Sequence, residues 1–292
     1  MIYKIVHRTT YKYKYPVSLG SHVACLTPRS MQRHSLLQNQ LHINPAPASL
    51  AERVDYFGNH LSFFTVEEPH DELVVEARSQ VKMGEFATPS SQPSPPWEEV
   101  VAALPNSQSA EAVEAYQFRF ESPRIPLRPE FAAYALQSFT PRRPFVEALL
   151  DLMTRLHRDF RFDSKVTTVR TPVHEVFEKR RGVCQDFAHV QIACLRSIHL
   201  AARYVSGYLR TYPPPGQPRL VGADASHAWV SSYCPGLGWL DIDPTNNVVP
   251  SNGHVTLAWG RDFSDVSPLH GLILGGGAHT LKVAVDLEAI EP

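Results

Sequence analysis

Arg181-Gly182-Val183-Cys184-Gln185-Asp186-Phe187 places a cysteine directly after a glycine turn, at the predicted start of a helix. The first N–H groups of a helix lack an intrahelical acceptor, and its N-terminus carries partial positive charge. A thiol there is biased toward thiolate. Beyond it, Phe187, Val190 or Gln191, Cys194 and Ile198 recur at helical spacing and predict the buried stripe. Further on stand Ser226-His227-Ala228-Trp229 and Asp241-Ile242-Asp243-Pro244-Thr245-Asn246. A cysteine on a helix, then a histidine and an acid on separate strands, is the order of a nucleophile, its base and the group that orients the base.

Working outward, helices come before this cysteine and strands after it. Pro129 and Pro144 are placed as first-turn prolines. After Pro144, the residues Val146, Leu149, Leu150, Met153 and Leu156 form one apolar stripe. Thr171-Pro172 reads as N-cap and first residue of another helix, through Val173, Val176 and Phe177, with Gly182 as its stop. Short aromatic and β-branched runs at 202–209, 225–233 and 239–242 predict strands. Pro213-Pro214-Pro215-Gly216 and Pro235-Gly236-Leu237-Gly238 punctuate them. Helices followed by strands within one unit indicate α+β rather than alternating α/β.

Residues 1–83 read as all-β. Tyr3, Ile5, Tyr11, Tyr13 and Tyr15 fall on one parity and Lys4, Arg8, Lys12 and Lys14 on the other. Leu37, Leu41 and Ile43 alternate with polar residues. Gly58-Asn59 stands between two such runs and predicts a tight hairpin, and Leu73, Val75, Ala77 and Val81 supply a further strand. These short strands predict an N-terminal β-sandwich domain over 1–83. A Pro/Ser-rich linker follows over 84–107, with Thr88-Pro89-Ser90-Ser91-Gln92-Pro93-Ser94-Pro95-Pro96 at its centre. The catalytic domain is expected over 108–292.

Composition narrows the functional classes. The 292 residues are 43% hydrophobic, enough for a packed core, and carry a formal net charge of −1. No basic field argues for nucleic acid or an anionic membrane, and no apolar run approaches a membrane span. The first residues lack the apolar middle region of a signal peptide, so the cytoplasm is the expected compartment. Cys25, Cys184, Cys194 and Cys234 show no framework spacing and are expected to be reduced.

Each candidate has a plain structural alternative. A cytosolic cysteine is most often a buried apolar residue, and this is the expectation for Cys25, Cys194 and Cys234. Cys184 differs by its place at a helix start and by the histidine and acid that follow it. His227 is one of 14 histidines. It shares a strand face with Trp229, which can shield its imidazole, while Ala228 and Val230 take the other face. Asp243 before Pro244 is an ordinary strand exit. Asp241 is its rival as orienter, because alternation puts both acids on one face.

A metal site is not expected. Cys184, His189, Cys194 and His199 recur every five residues, and a step of five turns a helix by about 140°, so they scatter around it. Gly275-Gly276-Gly277 precedes a predicted final strand at 281–287 and opens no helix, so it is no phosphate loop. Arg180-Arg181 reads as a solvated helix end. No cofactor is expected.

At these residues the chain resembles the transglutaminase-like superfamily of papain-like cysteine enzymes, in its bacterial branch. The likeness rests on 181–189, on Ala202-Arg203-Tyr204-Val205-Ser206-Gly207-Tyr208, on Ser226-His227-Ala228-Trp229-Val230, on Asp243-Pro244-Thr245-Asn246-Asn247, and on Gly260-Arg261-Asp262-Phe263-Ser264-Asp265-Val266. The first 83 residues resemble the β-rich region that accompanies this branch. The resemblance implies Cys184 as nucleophile, His227 as base and Asp243, rather than Asp241, as orienter. It also implies a cysteine-bearing helix packed on an antiparallel sheet. Two departures stand outside these three positions. His199-Leu200-Ala201 replaces the branch's usual Gly-Ile-Pro, and Ser231-Ser232 stands where an acid usually follows.

The implied chemistry is acyl transfer on a peptide or isopeptide amide through a thioester, ending in hydrolysis or transamidation. The implied partner is a peptide or protein amide substrate. Two alternatives stay open. One is acetyl transfer from coenzyme A, as in arylamine acetyltransferases, whose three residues run in the same order. The other is an inactive binding module on the same fold.

Overall fold

The computed structural model describes residues 1–84, 93–211 and 225–290. Five strands come first: β1 (Ile2–Ala24), β2 (His34–Asn44), β3 (Ser49–Val54), β4 (His60–Val66) and β5 (His70–Met83). Helices α1 (Trp97–Ala103), α2 (Ala110–Tyr116), α3 (Pro129–Ala135) and α4 (Phe145–Asp159) follow. Then come the two-residue β6 (Arg161–Phe162), α5 (Val173–Lys179), the two-residue β7 (Arg181–Gly182) and α6 (Cys184–Ser197). The chain ends in strands: β8 (Ala202–Leu209), β9 (Ala225–Cys234), β10 (Gly238–Ile242), β11 (His254–Gly260), β12 (Leu269–Gly275) and β13 (His279–Ile290). The class is α+β, as the order of helical and strand patterns implies.

The N-terminal β unit is one curled antiparallel sheet of seven strands that share β1. The first half of β1 lies between β5 and β13, and its second half between β4 and β12. Register shifts near Val17 mark where the long strand passes from one half to the other. Tyr3, Ile5 and Tyr13 point into the core as their parity predicts, whereas Tyr15 is exposed beyond the bend. Leu37 breaks its predicted alternation. The β2–β5 register shifts between Leu36 and Gln38, which turns Leu37 out to solvent. The Gly58 turn joins β3 to β4 as a hairpin.

The sheet does not respect the expected boundaries of 1–83 and 108–292. Strands β12 and β13, from the segment expected to complete the catalytic domain, instead pair with β1. The expected 84–107 linker contains α1, whose Val100 is buried. Of the proline-rich stretch, residues up to 92 lie outside the described residues, as does Pro213-Pro214-Pro215-Gly216.

A second antiparallel sheet has the order β10-β9-β8-β11. It sits between two layers. Phe187, Val190 and Leu195 of α6 share a core with Ala228 and Val230 of β9. Tyr208, Val255 and Leu257 share another with Tyr3, Ile5, Leu73 and Val75 of the curled sheet. Helix α6 is buried continuously from Gln185 to Arg196, rather than along the single predicted stripe, because α3, α4 and α5 cover what the sheet does not.

Local signals place these helix ends to within two residues. Pro129 is the first residue of α3. Pro144 and Pro172 each sit one position earlier than predicted, as N-caps of α4 and α5. Helix α5 ends at Arg180, which adopts the left-handed conformation (φ 53°), and not at Gly182. The Arg180 guanidinium stacks 4.2–4.8 Å from the rings of Tyr134, Phe160 and Phe177, so only Arg181 of the predicted solvated pair is exposed. Among the described residues, no helix is long and apolar enough to cross a membrane.

Candidate active site

Cys184 is the first residue of α6, where its N–H has no acceptor within the helix. Asp186, two residues on, fixes this helix start. Its Oδ2 accepts the Val183 N–H at 2.8 Å and the Thr167 hydroxyl at 2.7 Å. Gly182 has a packing reason beside it, since a Cβ there would lie 2.5 Å from the same Oδ2. Cys184 is partly exposed, whereas Cys25, Cys194 and Cys234 are buried. Burial pushes the Cys25 thiol up to about 12 and that of Cys234 to about 11.

His227 stands on β9 opposite Gly207 of β8. Its Nε2 lies 2.7 Å from Asp243 Oδ2 at the exit of β10. The Cys184 thiol acts on the same imidazole and helps to raise its pKa, and Asp243 holds Nε2, which leaves Nδ1 as the nitrogen available to it. Burial opposes a charged ring, but hydrogen bonds to Asp243 and Cys184 outweigh it and raise His227 to about 10. Burial likewise opposes the Asp243 carboxylate, yet its donors hold it well below the usual carboxylate range.

Those donors surround it. Asp243 Oδ1 accepts the N–H groups of Thr245 (3.0 Å) and Asn246 (3.2 Å). Oδ2 takes His227, Asn246 Nδ2 (2.7 Å) and His254 Nε2 (3.2 Å). The turn after Asp243 is anchored from α4, where His157 Nδ1 donates to the Thr245 carbonyl (3.0 Å) and Thr154 donates to Asn247 (2.9 Å).

Asp241, two residues earlier on the same face, does not reach His227. It is buried, and its Oδ2 accepts from Arg33 and from Trp229 Nε1. The carboxylate against the imidazole is therefore Asp243. Asp241 instead ties the indole beside His227 to the loop after β1. Gly207 makes room for that indole, since a Cβ would lie 2.4 Å from the Trp229 ring and 2.3 Å from the Val255 carbonyl. Over this gap the His254 ring meets Trp229 edge-on at 5.3 Å.

Comparison with known proteins gives the family. Residues 3–82 match the bacterial transglutaminase-like N-terminal region, and residues 132–244 match the transglutaminase-like superfamily. An uncharacterized protein of Mycobacterium tuberculosis is 40% identical over 99% of this chain and 93% of its own length. The chain belongs to the transglutaminase-like superfamily. An uncharacterized Mycobacterium leprae protein is 31% identical over 97% of each chain. The protein-glutamine gamma-glutamyltransferase of Pseudomonas aeruginosa is 38% identical over 76 residues, 26% of this chain and 11% of that protein. A solved structure from Cytophaga hutchinsonii, described as a candidate cysteine protease, shares the fold with a TM-score of 0.74. It is 19% identical and covers all of this chain and 92% of that one.

In this member of the transglutaminase-like superfamily, the C-terminal motif at 260–266 is a clasp. Buried Arg196 donates to the carbonyls of Ala202 (2.8 Å), Arg261 (2.7 Å) and Phe120 (3.1 Å). His189 accepts the Phe263 N–H at 3.2 Å. Burial lowers its pKa to about 3.

Sequence spacing does miss one convergent group. His227, Asp243 and His254 bring potential ligand atoms within 4.8 Å of one another. Their hydrogens suit a hydrogen-bond cluster better than a metal. His254 Nδ1 accepts the Ser251 N–H at 3.4 Å, which puts the ring proton on Nε2, where a metal would need a lone pair. His254 and Asn246 were not singled out from sequence. Asn246 sits in a quoted motif, but His254 lies on a strand with no such signal.

Proposed function

We propose that this protein is a cysteine-dependent amide hydrolase with Cys184 as nucleophile, His227 as base and Asp243 as orienter. The observation that carries the reading is one buried imidazole, His227, set between a thiol at a helix start and the Asp243 carboxylate. Family membership supports cysteine-dependent acyl transfer in general terms. The substrate is a peptide or protein amide.

His227 Nδ1 takes the Cys184 proton, and the thiolate attacks the carbonyl carbon. The Cys184 N–H, at the helix start, faces the developing oxyanion. As the C–N bond breaks, His227 returns its proton to the leaving amine, and a thioester remains on Cys184. Water then attacks, giving its proton to His227. The thioester C–S bond breaks, the acid leaves, and the thiol is restored. Asp243 fixes the imidazole tautomer and stabilises its charged form throughout. An amine in place of water would give transamidation.

The test is a peptide amide library assayed with and without an added primary amine, using wild type and Cys184→Ala. Release of free acid by wild type alone is the expected result. Undiminished turnover by Cys184→Ala would refute the assignment, and amine-dependent products alone would replace hydrolysis by transamidation.

A further inference from the structure

We propose that His254 is a positioning residue for this chemistry, acting through Asp243 by sharing the carboxylate oxygen that holds His227. The inference rests on the assignment of Cys184, His227 and Asp243 proposed above. Three donors meet at Asp243 Oδ2: His227 Nε2 at 2.7 Å, Asn246 Nδ2 at 2.7 Å and His254 Nε2 at 3.2 Å. The Ser251 N–H at His254 Nδ1 fixes which nitrogen carries the proton, so His254 faces Asp243 as a donor. Its ring is held by Trp229 on one side and lies 6.1 Å from the His227 ring. This contact spans β8 where Gly207 has no side chain.

The consequence follows from charge sharing. A carboxylate oxygen that gives density to several donors gives less to each. With His254 in place, Asp243 orients the imidazole without gripping its charged form so tightly that the proton cannot pass to a leaving amine. Among the described residues, the other titratable group acting on His227 is Cys184 on α6. Beyond Trp229, Arg33 and Asp241 are paired with each other, and His157 is occupied by the Thr245 carbonyl.

The experiment follows alkylation of Cys184 by iodoacetamide across pH, which needs no known substrate. The rate has an alkaline step when His227 loses its proton. In His254→Phe, which keeps a ring but removes the donor, that step is expected to move up by about half a pH unit. In His254→Gln, which restores an N–H at similar reach, it returns to the wild-type position. An unmoved or lowered step in folded His254→Phe would overturn the proposal. A second measurement uses the wild type alone: nitrogen NMR of the histidine side chains should place the His254 proton on Nε2, and a proton on Nδ1 would overturn the proposal. Failure of the underlying assignment would look different, since Cys184 would then alkylate at the rate of an ordinary thiol in every variant.

Discussion

Asp241 and Asp243 stand two residues apart on one face of one strand, yet their surroundings make them different groups. Around Asp241 lies a seam between the two sheets. Arg33 pairs with it, Trp229 Nε1 donates to it, and His34 Nε2 nearby contacts the Thr256 carbonyl at 3.2 Å. Around Asp243 lies a ring of neutral and imidazole donors from β9, β11 and its own turn. A guanidinium neutralises the first carboxylate, which then serves packing. Among the described residues the second has no such cation, and its charge is spent on an imidazole. Burial is common to both and decides nothing; the identity of the donors does.

The strongest way to break this comparison is to remove each acid in turn. Asp243→Ala should lower amide turnover by about 10,000-fold, while Asp241→Asn leaves it near wild type. Equal losses in the two variants would erase the distinction. Gly207→Ala tests the room shared by both regions. Its Cβ would meet Trp229 and the Val255 carbonyl, and the expected loss is about 3 kcal/mol in unfolding free energy by denaturant titration. Arg33→Ala acts on the seam alone. It leaves a buried carboxylate without its partner, so stability should fall by about 2 kcal/mol while Cys184 reactivity is kept.

A gentler probe is pH. His227 is raised to about 10 in the folded state, above its value of about 6.5 in an unfolded chain. Its contribution to stability is therefore complete below pH 6.5 and lost as pH rises through about 10. Wild type should lose stability across that window, and His227→Gln should lose less over the same range. Turnover should show its alkaline limb near pH 10.

The parts legible in the sequence are those that one element carries alone. Cys184 at a helix start, His227 on an aromatic strand and the strands at 202–209 and 239–242 announce themselves by local pattern. Alternation could not separate Asp241 from Asp243, because the distinction lies in Arg33, more than 200 residues away in the chain. His254 was silent for a related reason. Its role depends on reaching past Gly207 from β11, two strands away from β9, and a glycine within a strand signals a close approach without naming what approaches. The return of β12 and β13 to β1 was equally hidden, since a strand's own pattern does not say which edge it will join.

That return has a consequence for how the molecule is made. Ile2 pairs with Ile290, and the register runs on from there to Tyr13 and His279. The whole transglutaminase-like core is thus threaded between two neighbouring strands, as an insertion within a sheet. During synthesis β1 leaves the ribosome with one edge open and keeps it open until β13 emerges. Helix α6 and the sheet that bears His227 are complete in sequence before that edge closes. The half of the molecule that carries Cys184 can therefore begin to fold while its neighbour still waits for a partner, and such distant pairing is slow to form.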